Sequence, residues 1–138
     1  METTYRIYGI NDYTSVIEDS LEKHDLHDAA FAIKMLLTEG ITNAFKHGNH
    51  CDHKKSINVH VKSKITSIMK EVTIIIGDCG KGIYDLPKVT DMNEEKLLEE
   101  AGRGLFLIKH YSDKVQVSNN ALHIYKKIQR RKYEIDSN

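Results

Sequence analysis

The sequence predicts an α/β two-layer sandwich, a mixed and mainly antiparallel sheet with helices packed on one face. Residues 56–62 alternate strictly between apolar and polar types, which is typical of a strand with one buried face. Residues 72–76 are apolar or β-branched throughout, which favours a central strand. Residues 29–47 carry apolar side chains at helical spacing. Amphipathic helices and strands in one short chain predict two layers around one core.

The first two elements are an edge strand over residues 5–10 and a helix over residues 13–23. The strand prediction comes from weak alternation of apolar and polar residues. Asn11 and Asp12 precede the helix and can cap its N-terminus.

The second helix, residues 29–47, is the element around which the other predictions are arranged. Asp28 is its expected N-cap. Gly48 and Asn49 can end it, because both residues tolerate the left-handed conformation found at helix C-termini.

The second half of the chain contains a long connection, residues 83–101, after the central strand. A connection of this length in a small domain is usually a functional lid or a mobile loop. It ends in Gly102-Arg103-Gly104, which opens a helix predicted over residues 105–110. The last element is a hairpin of residues 114–118 and 122–126 around the turn pair Asn119-Asn120.

Composition indicates one soluble domain, residues 1–138. Twenty basic residues balance twenty acidic ones, so no net charge indicates a nucleic acid or an anionic membrane as partner. Cys51 and Cys79 lack C-x-x-C spacing and predict no disulfide framework. No secretion signal and no apolar run of membrane-spanning length is present, so we expect a cytoplasmic location.

Glu39, Asn43 and His47 follow one another four residues apart and share one face of the second helix. Toward the N-terminus the same line passes Ala32 and Leu36, so it leaves a core and enters a polar region. A carboxylate that can accept a proton and an amide oxygen that can hold a metal ion suit phosphate chemistry. The alternative is a solvated helix face with ordinary polar residues.

Asp78-x-Gly80-x-Gly82 follows the central strand directly. A carboxylate there can accept a hydrogen bond from the exocyclic amine of adenine, and the glycines allow close approach to a ring or a phosphate. The alternative is a glycine-rich turn. The sequence contains neither a Walker loop nor a complete dinucleotide fingerprint.

Gly102-Arg103-Gly104 before a helix predicts an anion site, because N–H groups and the helix dipole would face a phosphate. A flexible hinge with a surface arginine is the alternative. His47, His50, Cys51 and His53 form the one cluster that resembles metal ligands, but their irregular spacing favours a polar loop.

Taken in order, these motifs resemble the GHKL (Bergerat) ATPase superfamily, and within it the anti-sigma-factor serine kinases. The resemblance rests on Glu39-Gly-Ile-Thr-Asn43-Ala-Phe-Lys-His47-Gly, Asp78-Cys-Gly80-Lys-Gly82-Ile and Gly102-Arg-Gly104-Leu-Phe-Leu-Ile. It implies a Bergerat ATP-binding fold with a short ATP lid, in a single kinase domain that uses ATP and Mg²⁺.

The resemblance also implies residue roles. Glu39 would be the general base, Asn43 would coordinate Mg²⁺, and Asp78 would hold the adenine amino group. The other implied nucleotide contacts are His47, Gly80, Gly82, Gly102, Arg103, Gly104 and Leu105.

The implied activity is a serine-protein kinase that phosphorylates an anti-anti-sigma (STAS-type) protein and thereby controls a sigma factor. A homodimer is compatible with the resemblance. The family usually carries a threonine near the start of the last strand, whereas residues 119–122 here contain none. This departure motivates the alternative, a nucleotide-dependent binding module that sequesters a partner without phosphorylating it.

Overall fold

The computed structural model describes residues 1–78, 100–118 and 121–130. Within these residues, five strands form one sheet in the order β1-β2-β3-β5-β4. They are β1 (Glu2–Tyr8), β2 (Ser56–Ile65), β3 (Met69–Asp78), β4 (Lys114–Ser118) and β5 (Ala121–Gln129). As predicted, the first strand lies at an edge and β3 is central, but β1 spans Glu2–Tyr8 rather than the predicted residues 5–10. Each described pairing is antiparallel, so the parallel pair of a mixed sheet is not found among these residues.

The helices are α1 (Tyr13–Lys23), α2 (Ala30–Asn43) and α3 (Glu100–Tyr111). A short 3₁₀ turn, His27–Ala29, precedes α2, and a five-residue π turn, Ala44–Gly48, continues it. None of the helices in the described part of the chain is long and apolar enough to cross a bilayer.

The core lies between the helices and one face of the sheet, which confirms the predicted sandwich. In β2 the side chains of Ile57, Val59 and Val61 are buried, as the alternation of residues 56–62 predicted. In β3, where residues 72–76 are apolar or β-branched throughout, burial also alternates. At Gly40 helix α2 packs closely on the sheet, and an added Cβ would overlap Ile76 Cδ1 and force that buried side chain to move. The side chains with almost no exposure include Ile33, Leu36, Leu37, Ile41, Ile57, Ile74, Ile76, Leu105, Ile108, Leu122 and Ile124.

The N-terminal end of the second helix differs from the prediction, whereas its C-terminal end falls at Gly48 and Asn49 as predicted but without the left-handed conformation. The N-cap position of α2 is occupied by Ala29 rather than Asp28, because residues 27–29 form a 3₁₀ turn. At the other end Asn49 has φ −94°, and the left-handed residues are His50 and Cys51, with φ of 53° and 61°. The π turn delays the end of the helix, since the Asn49 amide donates to the Ala44 carbonyl five residues back.

A buried histidine at the C-terminal end of α1 contacts the edge strand β1 and its neighbour β2. His24 is 4% exposed, and its ring nitrogens lie 2.8 Å from Thr3 Oγ1 and 2.6 Å from Ser63 Oγ. Burial lowers the pKa of His24 below its ordinary value, and the N-terminal charge lowers it further, whereas Asp19 opposes the shift.

We therefore expect stability to fall in mildly acidic solution. A lowered pKa means that the unfolded chain binds the proton more tightly, so the contribution of neutral His24 is complete above the ordinary pKa of 6.5 and is lost progressively below it. Urea unfolding between pH 7.5 and pH 5 should show a falling midpoint, and His24→Asn should flatten that dependence. An unchanged pH dependence in the variant would contradict this role.

Candidate functional site

The cleft that contains the predicted catalytic residues is formed by α2, the π turn and the first half of α3. It has a volume of about 220 Å³. Its described lining residues are Glu39, Thr42, Asn43, Lys46, His47, Arg103 and Gly104. The sequence had predicted five of these residues, and the structure brings all five together.

Helix α3 comes close to α2 at Gly104. A Cβ at this position would lie 3.0 Å from Glu39 Oε2, 3.2 Å from Asn43 Oδ1 and 3.3 Å from Asn43 Nδ2. The carboxylate and the amide therefore converge on one point of the cleft, where an added side chain would force both of them to shift by a few tenths of an ångström. Their four-residue spacing on α2 produces this convergence, because it places both side chains on one helix face.

The amide of Asn43 provides a test of whether the cleft suits a metal-bound nucleotide. Asn43 is only 4% exposed, and its Nδ2 has no hydrogen-bond partner among the described residues. A buried polar group without a partner is costly, and such groups recur at binding sites. Asn43 can present either its amide oxygen to a cation or its N–H to a phosphate, so the residues present fit Mg²⁺ and a nucleotide.

Asp78 packs against the end of the π turn. A Cβ on the buried residue Gly48 would overlap the Asp78 carboxylate, so this glycine is required by close contact and not by a left-handed conformation. Asn49 also fixes the end of the helix, since its Nδ2 donates to the Ser56 carbonyl at 2.9 Å. Asp78 is not part of the described cleft lining and lies beyond the C-terminal end of the π turn.

The position predicted for Gly102-Arg103-Gly104, ahead of the helix, was wrong. Helix α3 begins at Glu100, so all three residues lie inside it. In an α-helix, only the N–H groups of the first four residues lack a helical partner. Gly104 is the fifth residue of α3, so its N–H group is not one of them. Arg103 is exposed and lines the cleft. Leu105 is 1% exposed and belongs to the core, so its side chain cannot contact a nucleotide in the cleft.

Thr42 and Lys46 were missed by the sequence analysis. They lie three and seven residues after Glu39, so a helical line traced in steps of four passes them by. A step of three followed by a step of four would have found both, because residues three and four apart share a helix face. The predicted nucleotide contacts Gly80 and Gly82 lie outside the described residues, as does almost all of the predicted lid, residues 83–101.

The alternative metal site is wrong for the described part of the chain, where no three His, Cys, Asp or Glu side chains come together. His47 faces the cleft, whereas His50 and Cys51 are exposed. The His53 ring packs on Phe45, with ring centroids 4.9 Å apart.

A larger groove of about 570 Å³ lies between β1 and α1, but its charge is wrong for a nucleotide. Its lining contains four carboxylates, those of Asp12, Glu18, Asp19 and Glu22, and one cation, Arg6. Among its described lining residues, the smaller cleft has two cations, Lys46 and Arg103, and one carboxylate, Glu39. Because a triphosphate is strongly anionic, the smaller cleft is the better candidate despite its size.

Comparison with known families supports the same assignment. The family model described as a histidine kinase-like ATPase domain matches residues 10–126, which include α1, α2, α3 and most of the sheet. The chain belongs to this family. Membership in the histidine kinase-like ATPase family implies ATP binding, and its matched region contains every residue of the cleft.

Known proteins similar to this ATPase domain include anti-sigma F factors. The chain is 31% identical over 108 residues to the anti-sigma F factor of Pasteuria penetrans, covering 70% of this chain and 67% of that protein. It is 30% identical over 89 residues to the anti-sigma F factor of Clostridium botulinum strain Eklund 17B, covering 63% of this chain and 59% of that protein. The match thus spans less than two thirds of the Clostridium botulinum relative.

Proposed function

We propose that this histidine kinase-like ATPase domain binds Mg-ATP in the cleft and acts as an anti-sigma regulator. In this proposal it transfers phosphate to a serine of an anti-anti-sigma (STAS-type) protein and thereby controls a sigma factor. The observation that carries the proposal is the convergence of Glu39 and Asn43 at Gly104, with Arg103 lining the same cleft. A cytoplasmic location follows from the proposed partners, which are transcription proteins.

The proposed chemistry needs few protein groups. Phosphoryl transfer depends mostly on positioning and on neutralising charge. Glu39 would accept the proton of the serine hydroxyl, because its carboxylate lies in the cleft and is half-buried. The amide of Asn43 would hold Mg²⁺, and the Arg103 guanidinium would bind phosphate oxygens. Bound Mg²⁺ would supply further neutralisation of the phosphate charge.

The base of the nucleotide would lie toward the C-terminal end of β3. Asp78 would accept a hydrogen bond from the adenine amino group there. Its contact with Gly48 supports this role, since the π turn holds the carboxylate next to the helix that carries Glu39 and Asn43. The cleft and Asp78 would then contact opposite ends of one nucleotide.

The experiment that tests this proposal is transfer of labelled phosphate from Mg-ATP to the anti-anti-sigma protein of the same genome. We expect the label on a serine of that protein. The unphosphorylated anti-anti-sigma protein should release the bound sigma factor, and the phosphorylated form should not. If the protein binds Mg-ATP and its partner but transfers no label, the kinase proposal fails.

The alternative function, a nucleotide-dependent binding module, is favoured by one observation at the start of β5. Ala121 pairs with Gly77, the residue before Asp78, and is 8% exposed. It offers no hydroxyl where related kinases usually have a threonine for adenine binding. Partner binding that depends on nucleotide, without transfer, would select this alternative.

A further inference from the structure

Four aromatic rings form a continuous row across α2 and α3, away from the catalytic residues. Phe31 of α2 meets Tyr111 of α3 edge-on, with ring centroids 5.5 Å apart. Tyr111 meets His110 at 4.8 Å, and His110 stacks on Phe106 at 6.3 Å. We call Phe31, Phe106, His110 and Tyr111 the aromatic row.

Two apolar rings of the row are exposed to solvent. Phe31 is 64% exposed and Phe106 is 40% exposed, whereas Phe45, the third phenylalanine of the chain, is 6% exposed. Single exposed apolar side chains are normal, but contiguous ones mark interaction sites. Rings already held against one another also lose little freedom on binding, which favours their use as anchors.

Exposed cations flank the row along α2 and α3, while one exposed carboxylate lies near each end of it, Asp28 before Phe31 and Asp113 after Tyr111. Lys34 and Lys109 are exposed on the same two helices, and Arg103 is exposed at the cleft end of α3. Among the described side chains of α2 and α3, Glu39 is the single carboxylate, and it lines the cleft. A protein that docks on this surface should therefore be acidic, because complementary charge accelerates encounter and selects the partner.

The row is also close enough to the cleft to position a substrate. Glu39 and Asn43 face Gly104, whereas Phe31 faces Tyr111, so α2 and α3 run antiparallel. The seven residues from Gly104 to Tyr111 span about 10 Å of helix. A protein seated on the row would thus lie at the rim of the cleft, within reach of Glu39.

We infer that the aromatic row, with Lys34 and Lys109, is the docking surface for the protein that receives the phosphate. The matching surface of that protein is acidic around an apolar centre. This inference rests on the proposed function, because a docked serine must reach Glu39. It goes beyond that function by naming the surface and the chemistry of its partner.

Two double variants test the surface. Phe31→Ser with Phe106→Ser removes the exposed rings, and Lys34→Glu with Lys109→Glu reverses the charge. The matched control, Ile68→Ser with Lys64→Glu, changes an exposed apolar residue and an exposed lysine at the β2–β3 end of the sheet. For each protein, calorimetry measures the affinity for Mg-ATP, for the anti-anti-sigma protein and for the sigma factor, and steady-state assays measure KM and kcat of transfer.

We expect both test variants to bind the anti-anti-sigma protein roughly tenfold more weakly or worse, with unchanged Mg-ATP affinity. KM for that protein should rise with little change in kcat, and the control should behave as wild type. Wild-type affinity in both test variants would overturn the inference, and so would selective loss of sigma-factor binding, which would assign the row to the sigma factor. If the wild-type protein binds the partner without transferring phosphate, the kinase proposal fails. The affinities of the variants for the anti-anti-sigma protein still show whether the aromatic row is its docking surface.

Discussion

Glu39→Gln should abolish measurable phosphoryl transfer while leaving nucleotide binding intact. Loss of a general base typically lowers the rate by about 10²–10⁴-fold. Glutamine keeps the size and planarity of the side chain, so the contact with Gly104 and the cleft beside Asn43 are preserved. The measurement is single-turnover transfer from Mg-ATP to the partner protein, together with a Mg-ATP titration.

The control for this variant is Glu22→Gln, which removes an exposed carboxylate from α1. It should transfer phosphate at the wild-type rate. Transfer that persists near the wild-type rate in Glu39→Gln would remove Glu39 from the role of base. Loss of Mg-ATP binding together with transfer would instead indicate a role in holding the nucleotide.

Gly48→Ala should destabilise the fold and weaken nucleotide binding at the same time. The new methyl group would lie 2.7 Å from Asp78 Cβ and would overlap the carboxylate. Because a Cβ is fixed to the backbone, this clash cannot be relieved by rotating a side chain. Overpacking of this kind costs about 1–3 kcal/mol in the free energy of unfolding. Urea unfolding and an ATP titration measure the two effects.

A double variant separates the two effects of Gly48→Ala. Asp78→Gly removes every side-chain atom that the new methyl group would meet. The pair should therefore be less destabilised than the sum of the single variants, whereas nucleotide affinity should stay low because the proposed adenine contact is lost. Additive destabilisation would show that Gly48 and Asp78 are not in contact, and wild-type affinity would exclude Asp78 from the nucleotide site.

The sequence was sufficient to predict the helices and strands whose apolar pattern follows from which side chains are buried. Helix α1 covers the predicted residues 13–23, and β3 is central because a strand of β-branched apolar residues must be buried on the sheet. The convergence of Glu39 with Asn43 also follows from helical spacing alone. These features depend on local periodicity, which one sequence contains in full.

The features that the sequence could not give depend on contacts between distant elements. The sequence suggested that Gly48 is present for a left-handed turn, but in the structure its lack of a side chain leaves room for Asp78 of β3. Gly104 looked like part of a loop before the helix, but it lies inside α3 and leaves room for Glu39 and Asn43. Glycine has more than one structural use, and only the packing partners distinguish them.

The most direct test of the nucleotide site is a calorimetric titration of ATP with and without Mg²⁺ on wild type and Asn43→Ala. Asn58→Ala is the matched control, because it removes an amide that contacts Arg6 on the sheet. We predict magnesium-dependent binding in wild type and in the control, and binding at least tenfold weaker in Asn43→Ala, the scale of one lost charged interaction of about 1.5–3 kcal/mol. Binding that needs no Mg²⁺, or that is unchanged in Asn43→Ala, would contradict the proposed site.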